Sequence, residues 1–179
     1  TAHSARPWEG DNAITKAHGL LTRLAELRPI EHTIDGHVYR TVTTVTLANG
    51  GRGRNVVPDV FTLNLNHRFA PSTSLEQAQA DVLALVGDGA SVQFTDLSPA
   101  ALPNASHPLV QKLIAVGVAG VEPKQAWTDV ARFSALGIPA VNFGPGENAQ
   151  AHQKNESTDC GLLFAGYRIL AAWLHGMAS

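Results

Sequence analysis

The sequence is poor in cysteine and in charged residues, and its apolar runs are short. It contains a single cysteine, Cys160, so no internal disulfide can form, and this favours a reducing, cytoplasmic compartment. Its longest apolar run, over residues 160–174, is shorter than the roughly 20 residues that cross a bilayer. Charged residues make up 16% and the formal net charge is −2, which argues against a nucleic-acid or anionic-lipid partner. We therefore expect a small molecule or another protein as the partner, with no nucleic acid and no membrane.

Apolar residues, by contrast, are plentiful at 44%, which is typical of a packed chain rather than a disordered one. The first residues carry neither a basic region nor an apolar segment, so no signal peptide is expected. The length suits one ordinary domain or two small ones. Two prolines interrupt the segment 98–104, and this predicts a boundary between domains at 1–104 and 105–179.

The first predicted domain mixes helices and strands. Periodicity and capping signals predict a helix from Asp11 to Pro29, strands over 38–47 and 60–69, a helix from Ser74 to Gly87, and a strand over 92–97. A further strand ending at the first residues would complete a ferredoxin-like β-α-β-β-α-β arrangement. The expected sheet is antiparallel, with two helices on one face.

The second predicted domain has helices around one short strand. The helices are expected over 108–116, from Thr128 or Asp129 to Leu136, and over 158–175, and the buried strand over 138–143. One strand does not close an α/β layer. The segment 105–179 is therefore predicted to be the carboxyl-terminal part of a larger α/β domain.

Two polar groups in the first domain are candidates for anion binding. His3 lies beside a hydroxyl and the guanidinium of Arg6, a combination that can hold an oxyanion. An ordinary surface turn is the plainer interpretation of these residues. Arg68 shares one face of a strand with Asn64 and Asn66, and an arginine fork binds a carboxylate at two points. A solvated sheet face is the plainer interpretation of that pattern.

Two loops complete the set of candidates. Asn55 follows a glycine-rich stretch and could donate an amide hydrogen bond, although a flexible hairpin with a left-handed Asn fits as well. The turn Gly144-Pro145-Gly146 precedes His152 and Glu156, at the strand end where α/β folds bind ligands. His152 suits a zinc ion, with Glu156 orienting it, or it is an exposed loop histidine. No phosphate loop, H-E-x-x-H, C-x-x-C or G-x-S-x-G motif occurs.

Taken together, these segments resemble the succinyl-diaminopimelate desuccinylase branch of the aminoacylase and carboxypeptidase family of co-catalytic zinc hydrolases. The segments are, in chain order, AHSARPWEGDNAI at 2–14, NVVPD at 55–59, NLNHRF at 64–69, WTDVARF at 127–133, and GIPAVNFGPG at 137–146 with His152 and Glu156. The resemblance covers nearly the whole chain but only the carboxyl-terminal half of a family member.

The resemblance implies a fold and a reaction. Residues 1–104 would form a lid, or dimerisation, domain, and 105–179 the carboxyl-terminal part of a zinc-peptidase-like α/β catalytic domain. A family member of full length would hydrolyse N-succinyl-diaminopimelate to succinate and diaminopimelate, in lysine biosynthesis, through a water activated by two zinc ions, for which cobalt can substitute. The alternatives are a related N-acyl-amino-acid deacylase, such as an acetylornithine deacetylase or a carboxypeptidase, and a non-catalytic dimerisation module.

The resemblance also implies roles for individual residues. His152 would be a metal ligand and Glu156 its support, while His3 would stabilise the oxyanion in the partner's site across a homodimer formed by the lid. The implied substrate-binding residues are Asn55, Arg68, Thr128, Asp129, Arg132, Gly144 and Gly146. The family's other metal ligands precede the lid and are not in this sequence, so the chain alone is expected to be inactive.

Overall fold

The chain divides into two compact units. The computed structural model describes residues 1–177, and the first unit comprises Thr1–Ala100 while the second begins at Ala101. The division lies within the proline-containing segment 98–104 in which the sequence predicts a domain boundary.

Five strands form two antiparallel sheets in the first unit. A two-stranded sheet pairs β1 (Ala2–His3) with β4 (Val56–Val57). A three-stranded sheet has the order β2-β3-β5, with β2 at Ile30–Ile34, β3 at His37–Gly50 and β5 at Phe61–Arg68. The long β3 is rich in valine and threonine, whose branched side chains favour extended backbone.

The first predicted helix is two short helices, α1 (Ala13–Lys16) and α2 (His18–Glu26). Asn12 caps α1, because its side-chain oxygen accepts two backbone N–H groups of the first turn at 3.0 and 3.2 Å. The predicted cap, Asp11, is therefore wrong by one residue. Asp11 instead pairs with Lys16 through Oδ2 and Nζ at 2.9 Å.

A tight hairpin joins β2 to β3, and neither the hairpin nor β2 was predicted. Ile34 lies opposite His37, and the two turn residues Asp35 and Gly36 have φ angles of 51° and 79°. Two successive positive φ angles define a type I′ turn, whose twist matches that of paired strands.

The second helix of this unit, α3 (Leu75–Val86), begins as predicted at a capping serine. Ser74 Oγ accepts the backbone N–H of Gln77 at 3.2 Å, and Gly87 ends the helix with a φ of 65°. Arg23 Nη2 on α2 donates to the carbonyl of Val86 at 3.2 Å. This bond satisfies an end carbonyl of α3 and joins the two helices.

The predicted strand over 92–97 is absent from the described structure, where these residues have no sheet hydrogen bonds. A strand needs a neighbour to satisfy its backbone groups. The structure therefore has small sheets of two and three strands in place of the predicted sheet, although the mixed α and β character of the prediction holds.

The second unit contains three helices of four residues or more, α4 (Pro108–Ala115), α5 (Val130–Ala135) and α6 (Cys160–His175), within the described residues. All three were predicted, with ends within two residues of those observed. Trp173 Nε1 on α6 donates to the carbonyl of Leu109 on α4 at 3.0 Å, which packs these helices together.

The predicted strand over 138–143 is also wrong, since residues 101–177 contain no strand. Isolated hydrogen bonds hold the segment instead: Asn104 Nδ2 donates to the carbonyl of Ala140 at 3.2 Å, and the N–H of Ile138 to that of Phe133 at 2.9 Å. Residues 138–143 have no neighbouring strand with which to form the hydrogen-bond ladder of a sheet.

The buried core is small. Its members in the described chain are Leu24, Val57, Ala70, Ala78, Val82 and Val86 in the first unit, and Leu113 and Ala131 in the second. No residue of α6 is buried, and Phe164 and Tyr167 are 62% and 72% exposed. None of the helices in residues 1–177 has the length and apolarity that a bilayer crossing requires.

Candidate functional site

Two of the predicted site residues in the first unit lie side by side. The pairing of β1 with β4 sets His3 opposite Val56, and the N–H of Ser4 donates to the carbonyl of Asn55 at 2.9 Å. Both His3 and Asn55 are exposed. Residues more than fifty positions apart thus present an imidazole and an amide to the same stretch of surface.

A hydrogen bond within the first turn determines which ring nitrogen of His3 is a donor. Its Nδ1 accepts the backbone N–H of Ala5 at 3.1 Å. A neutral ring that accepts at Nδ1 carries its proton on Nε2. The exposed edge of His3 therefore offers an N–H to an oxygen atom of a ligand, which is the chemistry that oxyanion stabilisation needs.

Asn55 does not adopt the left-handed backbone considered as its plainer explanation. In residues 1–177, the non-glycine residues with positive φ are Asp35 and His152. The left-handed residue of the loop before Asn55 is Gly51, with a φ of 79°. Asn55 nevertheless lies in a turn, in which the N–H of Val56 donates to the carbonyl of Gly53 at 3.4 Å.

Arg68 lies at the end of β5, opposite Val42. It follows Asn64 and Asn66 at every second position, so the three side chains leave one face of the sheet, as predicted. Asn64 Nδ2 donates to Thr46 Oγ1 at 2.6 Å. Within the described chain Arg68 has no ion pair and its guanidinium remains available to an anion.

In the second unit, the predicted residues around α5 form one cluster. The Nε of Arg132 lies 3.4 Å from Asp129 Oδ1, and its guanidinium carbon lies 5.5 Å from the ring centroid of Trp127. Thr128 Oγ1 accepts Asn142 Nδ2 at 3.1 Å. Sequence reasoning did not single out Trp127, although its motif includes it, or Asn142, which is 14 positions from Thr128.

The glycine turn before His152 packs near α6. Gly146 has a φ of 98°, and a Cβ there would lie 3.0 Å from Thr158 Oγ1, so this position requires glycine. At Gly144 a Cβ would meet nothing within 4 Å. A Cβ on Gly166 of α6 would lie 3.8 Å from Pro145, which shows how closely the turn approaches the helix.

His152 occupies an unusual backbone conformation. Its φ is 64°, in the left-handed region that costs an ordinary residue about 1 kcal/mol or more. Glu156 Oε2 accepts the backbone N–H of His152 at 3.2 Å. The carboxylate thus supports the backbone of His152, while the sequence hypothesis had it orient the imidazole.

Asn148, which the sequence reasoning missed, braces the same loop. Its Oδ1 accepts Lys124 Nζ at 2.6 Å, and its Nδ2 donates to Glu122 Oε2 at 3.4 Å. These contacts span 24 and 26 positions, so no local pattern indicates them. They fix the start of the loop that carries His152.

Residues 1–177 do not form a complete metal site by themselves. Among the residues that the structure describes, no group of three or more His, Cys, Asp or Glu side chains could hold one. A protein-bound zinc ion takes three or four protein ligands. His152 can contribute one of them.

A further histidine, His67, lies half-buried on the inner face of the sheet. Its Nδ1 is 2.8 Å from Thr43 Oγ1, and its Nε2 is buried without a hydrogen-bond partner in the described structure. Burial lowers the pKa of His67 below its ordinary value, and the carboxylate of Asp81 opposes that shift. The folded protein therefore favours the neutral ring.

We expect His67 to make the first unit less stable in acid. The unfolded chain takes up this proton near the ordinary pKa of about 6.5, and the folded chain does so only at lower pH. The neutral His67 ring therefore makes its full contribution to the free energy of unfolding above the unfolded-state pKa. That contribution is lost as the pH falls through the lower pKa of the folded state. The midpoint of urea unfolding should fall as the pH is lowered. In the His67→Phe variant, the midpoint should depend less on pH. An equal acid-induced loss in both proteins would contradict the assignment.

Residues 1–92 match the family described as peptidase dimerisation domain. The chain belongs to the peptidase dimerisation domain family. The matched residues include His3, Asn55 and Arg68, whereas Arg132 and His152 lie beyond them.

Relatives extend the similarity beyond the peptidase dimerisation domain. Over 177 residues the chain is 43% identical to a protein named putative succinyl-diaminopimelate desuccinylase DapE from Mycobacterium tuberculosis, covering 98% of this chain and 50% of that protein. It is 41% identical over 160 residues to a succinyl-diaminopimelate desuccinylase of Corynebacterium glutamicum, covering 87% and 43%. A probable carboxypeptidase of Paracoccidioides lutzii is 26% identical over 175 residues, covering 90% and 39%. The chain spans about half the length of the curated relatives it matches.

Proposed function

We propose that this chain is part of a longer metal-dependent amide hydrolase that converts N-succinyl-diaminopimelate to succinate and diaminopimelate. The observation that carries this proposal is the 43% identity over 98% of the chain to a protein with the desuccinylase name. The predicted anion-binding residues support it, because the substrate is an amide that bears several carboxylates. The chain by itself would be inactive.

The local geometry supports the proposed roles of individual residues. His3 donates from Nε2 to the oxyanion that forms when the amide carbonyl is attacked. Asn55 donates to the amide region, and Arg68 binds a substrate carboxylate. In the second unit Arg132 binds a carboxylate, with Thr128 and Asp129 beside it, and the backbone at Gly144 and Gly146 borders the substrate.

The metal proposal concerns the longer protein. His152 would contribute one ligand to a site of two zinc ions, in which cobalt can substitute, and the other ligands would come from residues outside this chain. Such ions polarise a carbonyl and lower the pKa of a bound water. Glu156 would keep His152 in position through the backbone hydrogen bond described above.

The proposed assembly is a homodimer through the first unit, in the cytoplasm. The peptidase dimerisation domain match supports the dimer. The antiparallel pairing of β3 with β5 and the connection of α2 to α3 support a ferredoxin-like lid with further strands. His3 would then act in the partner's site, and residues 101–177 would belong to a zinc-peptidase-like α/β catalytic domain.

The alternatives share the scaffold and differ in substrate. The 26% identity to a probable carboxypeptidase leaves a carboxypeptidase or another N-acyl-amino-acid deacylase, such as an acetylornithine deacetylase, as the second candidate. A module that only dimerises is the third.

A substrate panel tests the proposal. The longer protein that carries this chain is assayed with zinc on N-succinyl-diaminopimelate, N-acetylornithine and a carboxypeptidase peptide. We expect turnover of the succinylated substrate with the highest kcat/KM. Preference for another substrate would select the second candidate, and no turnover of any would leave the dimerisation module.

A further inference from the structure

Arg132 presents only part of its guanidinium to solvent. Its Nε is 3.4 Å from Asp129 Oδ1, and its guanidinium carbon lies over the indole of Trp127, 5.5 Å from the ring centroid. The terminal Nη1 and Nη2 have no ion pair in the described chain. A carboxylate can therefore reach two parallel N–H donors at the end of the fork.

The neighbours of Arg132 determine which direction that fork faces. Arg132 has a side chain that is 75% exposed, and such a side chain ordinarily samples many rotamers. Trp127 is partly buried and so provides a fixed ring, while Asp129 holds the Nε side. Contact with both neighbours restricts the guanidinium before any ligand arrives.

Packing alone does not explain an indole at this position. Trp127 Nε1 is buried without a hydrogen-bond partner in the described structure, and an unsatisfied buried donor is destabilising. A phenylalanine would avoid that loss. The indole has instead the aromatic face that attracts cations most strongly, so its advantage lies in holding Arg132.

We propose that Trp127 and Asp129 are positioning residues, which pre-orient Arg132 for end-on binding of a substrate carboxylate. This rests on the proposed function for the identity of the substrate. Asp129 acts through Arg132, because its negative charge would repel a carboxylate that it contacted directly. The chemistry recognised is a free carboxylate on a short aliphatic chain, as in succinate.

Calorimetry with succinate as the probe tests the proposal in the longer protein. Trp127→Leu should weaken succinate binding by about two- to fivefold, the size of a cation–π contact at an exposed site. Trp127→Phe should restore part of the lost affinity for succinate, and its melting temperature should not fall below that of the wild type. In the Arg132→Leu background, Trp127→Leu should have no further effect. The matched control is Trp173→Phe, since Trp173 is in the same unit and contacts the carbonyl of Leu109.

The outcomes separate this proposal from the proposed function. Failure of the wild type to bind succinate, unchanged affinity in Trp127→Leu, or equal losses with and without Arg132 would overturn the positioning role. In kinetic assays on the succinylated substrate, Trp127→Leu should raise KM and leave kcat nearly unchanged. Coupled succinate binding without turnover of that substrate would refute the desuccinylase and leave the positioning role intact.

Discussion

Replacing His3 with alanine should lower kcat of the longer protein by about 10²- to 10³-fold, the usual effect of losing one oxyanion donor. KM should change little, because the donor acts on charge that develops only in the transition state. The structure gives the reason for the donor: Nδ1 already accepts the N–H of Ala5, so Nε2 carries the proton. Steady-state kinetics on N-succinyl-diaminopimelate measures both constants.

The matched variants for His3 separate its chemistry from its place in the fold. His3→Gln retains an N–H donor and should recover part of kcat, whereas His175→Ala removes an exposed histidine at the end of α6 and should leave it unchanged. Activity of His3→Ala within about threefold of wild type would contradict the role. Partial recovery on mixing His3→Ala with His152→Ala subunits would support action across a dimer.

Replacing His152 with alanine should lower hydrolysis more than about 100-fold, beyond the 10- to 100-fold loss typical of removing a residue that supports a ligand. The metal content of the purified protein should fall with it, because the proposed site loses one of its ligands. Elemental analysis and kinetics on the same preparation measure the two effects. Full activity with a full complement of metal would refute the assignment.

Three further variants distinguish the role of the His152 imidazole from that of its backbone. Asparagine tolerates the left-handed region well, so His152→Asn should keep the loop conformation and still lose activity. Glu156→Gln retains a side-chain oxygen that can accept the N–H of His152, and it should lose less than Glu156→Ala. Equal losses in the two Glu156 variants would show that the charge, and not the hydrogen bond, supports His152.

The helices were predictable because their signals are local. The Ser74 cap, Pro108 at a first turn and the apolar spacing of the last helix all lie within or beside the elements that they define. The predicted strands over 92–97 and 138–143 failed because a strand depends on a neighbour that its own residues do not specify. The Asp35-Gly36 turn was a local signal that the sequence analysis overlooked.

The candidate site divides in the same way. Trp127 and Arg132 lie within one motif, so the sequence predicts that they are neighbours, but it does not predict the cation–π contact between the two side chains. The hydrogen bonds of Asn148 reach Lys124 and Glu122, which are 24 and 26 positions away in the sequence, so no local pattern predicts them. The sequence places Glu156 near His152 but does not show which group of His152 it contacts. In the structure its carboxylate accepts the backbone N–H of His152 and not a ring N–H.

The type I′ turn at Asp35 and Gly36 has a consequence for the order of folding. Its positive φ angles bring Ile34 opposite His37, so β2 and β3 pair with very little loop to close, and such hairpins form in about 1–10 μs. The pairing of β3 with β5 must close a longer loop and should follow. Pulsed hydrogen exchange during refolding should protect the amides shared by β2 and β3 first. Simultaneous protection of β5 would contradict this order, in which an early hairpin is the template for the rest of the sheet.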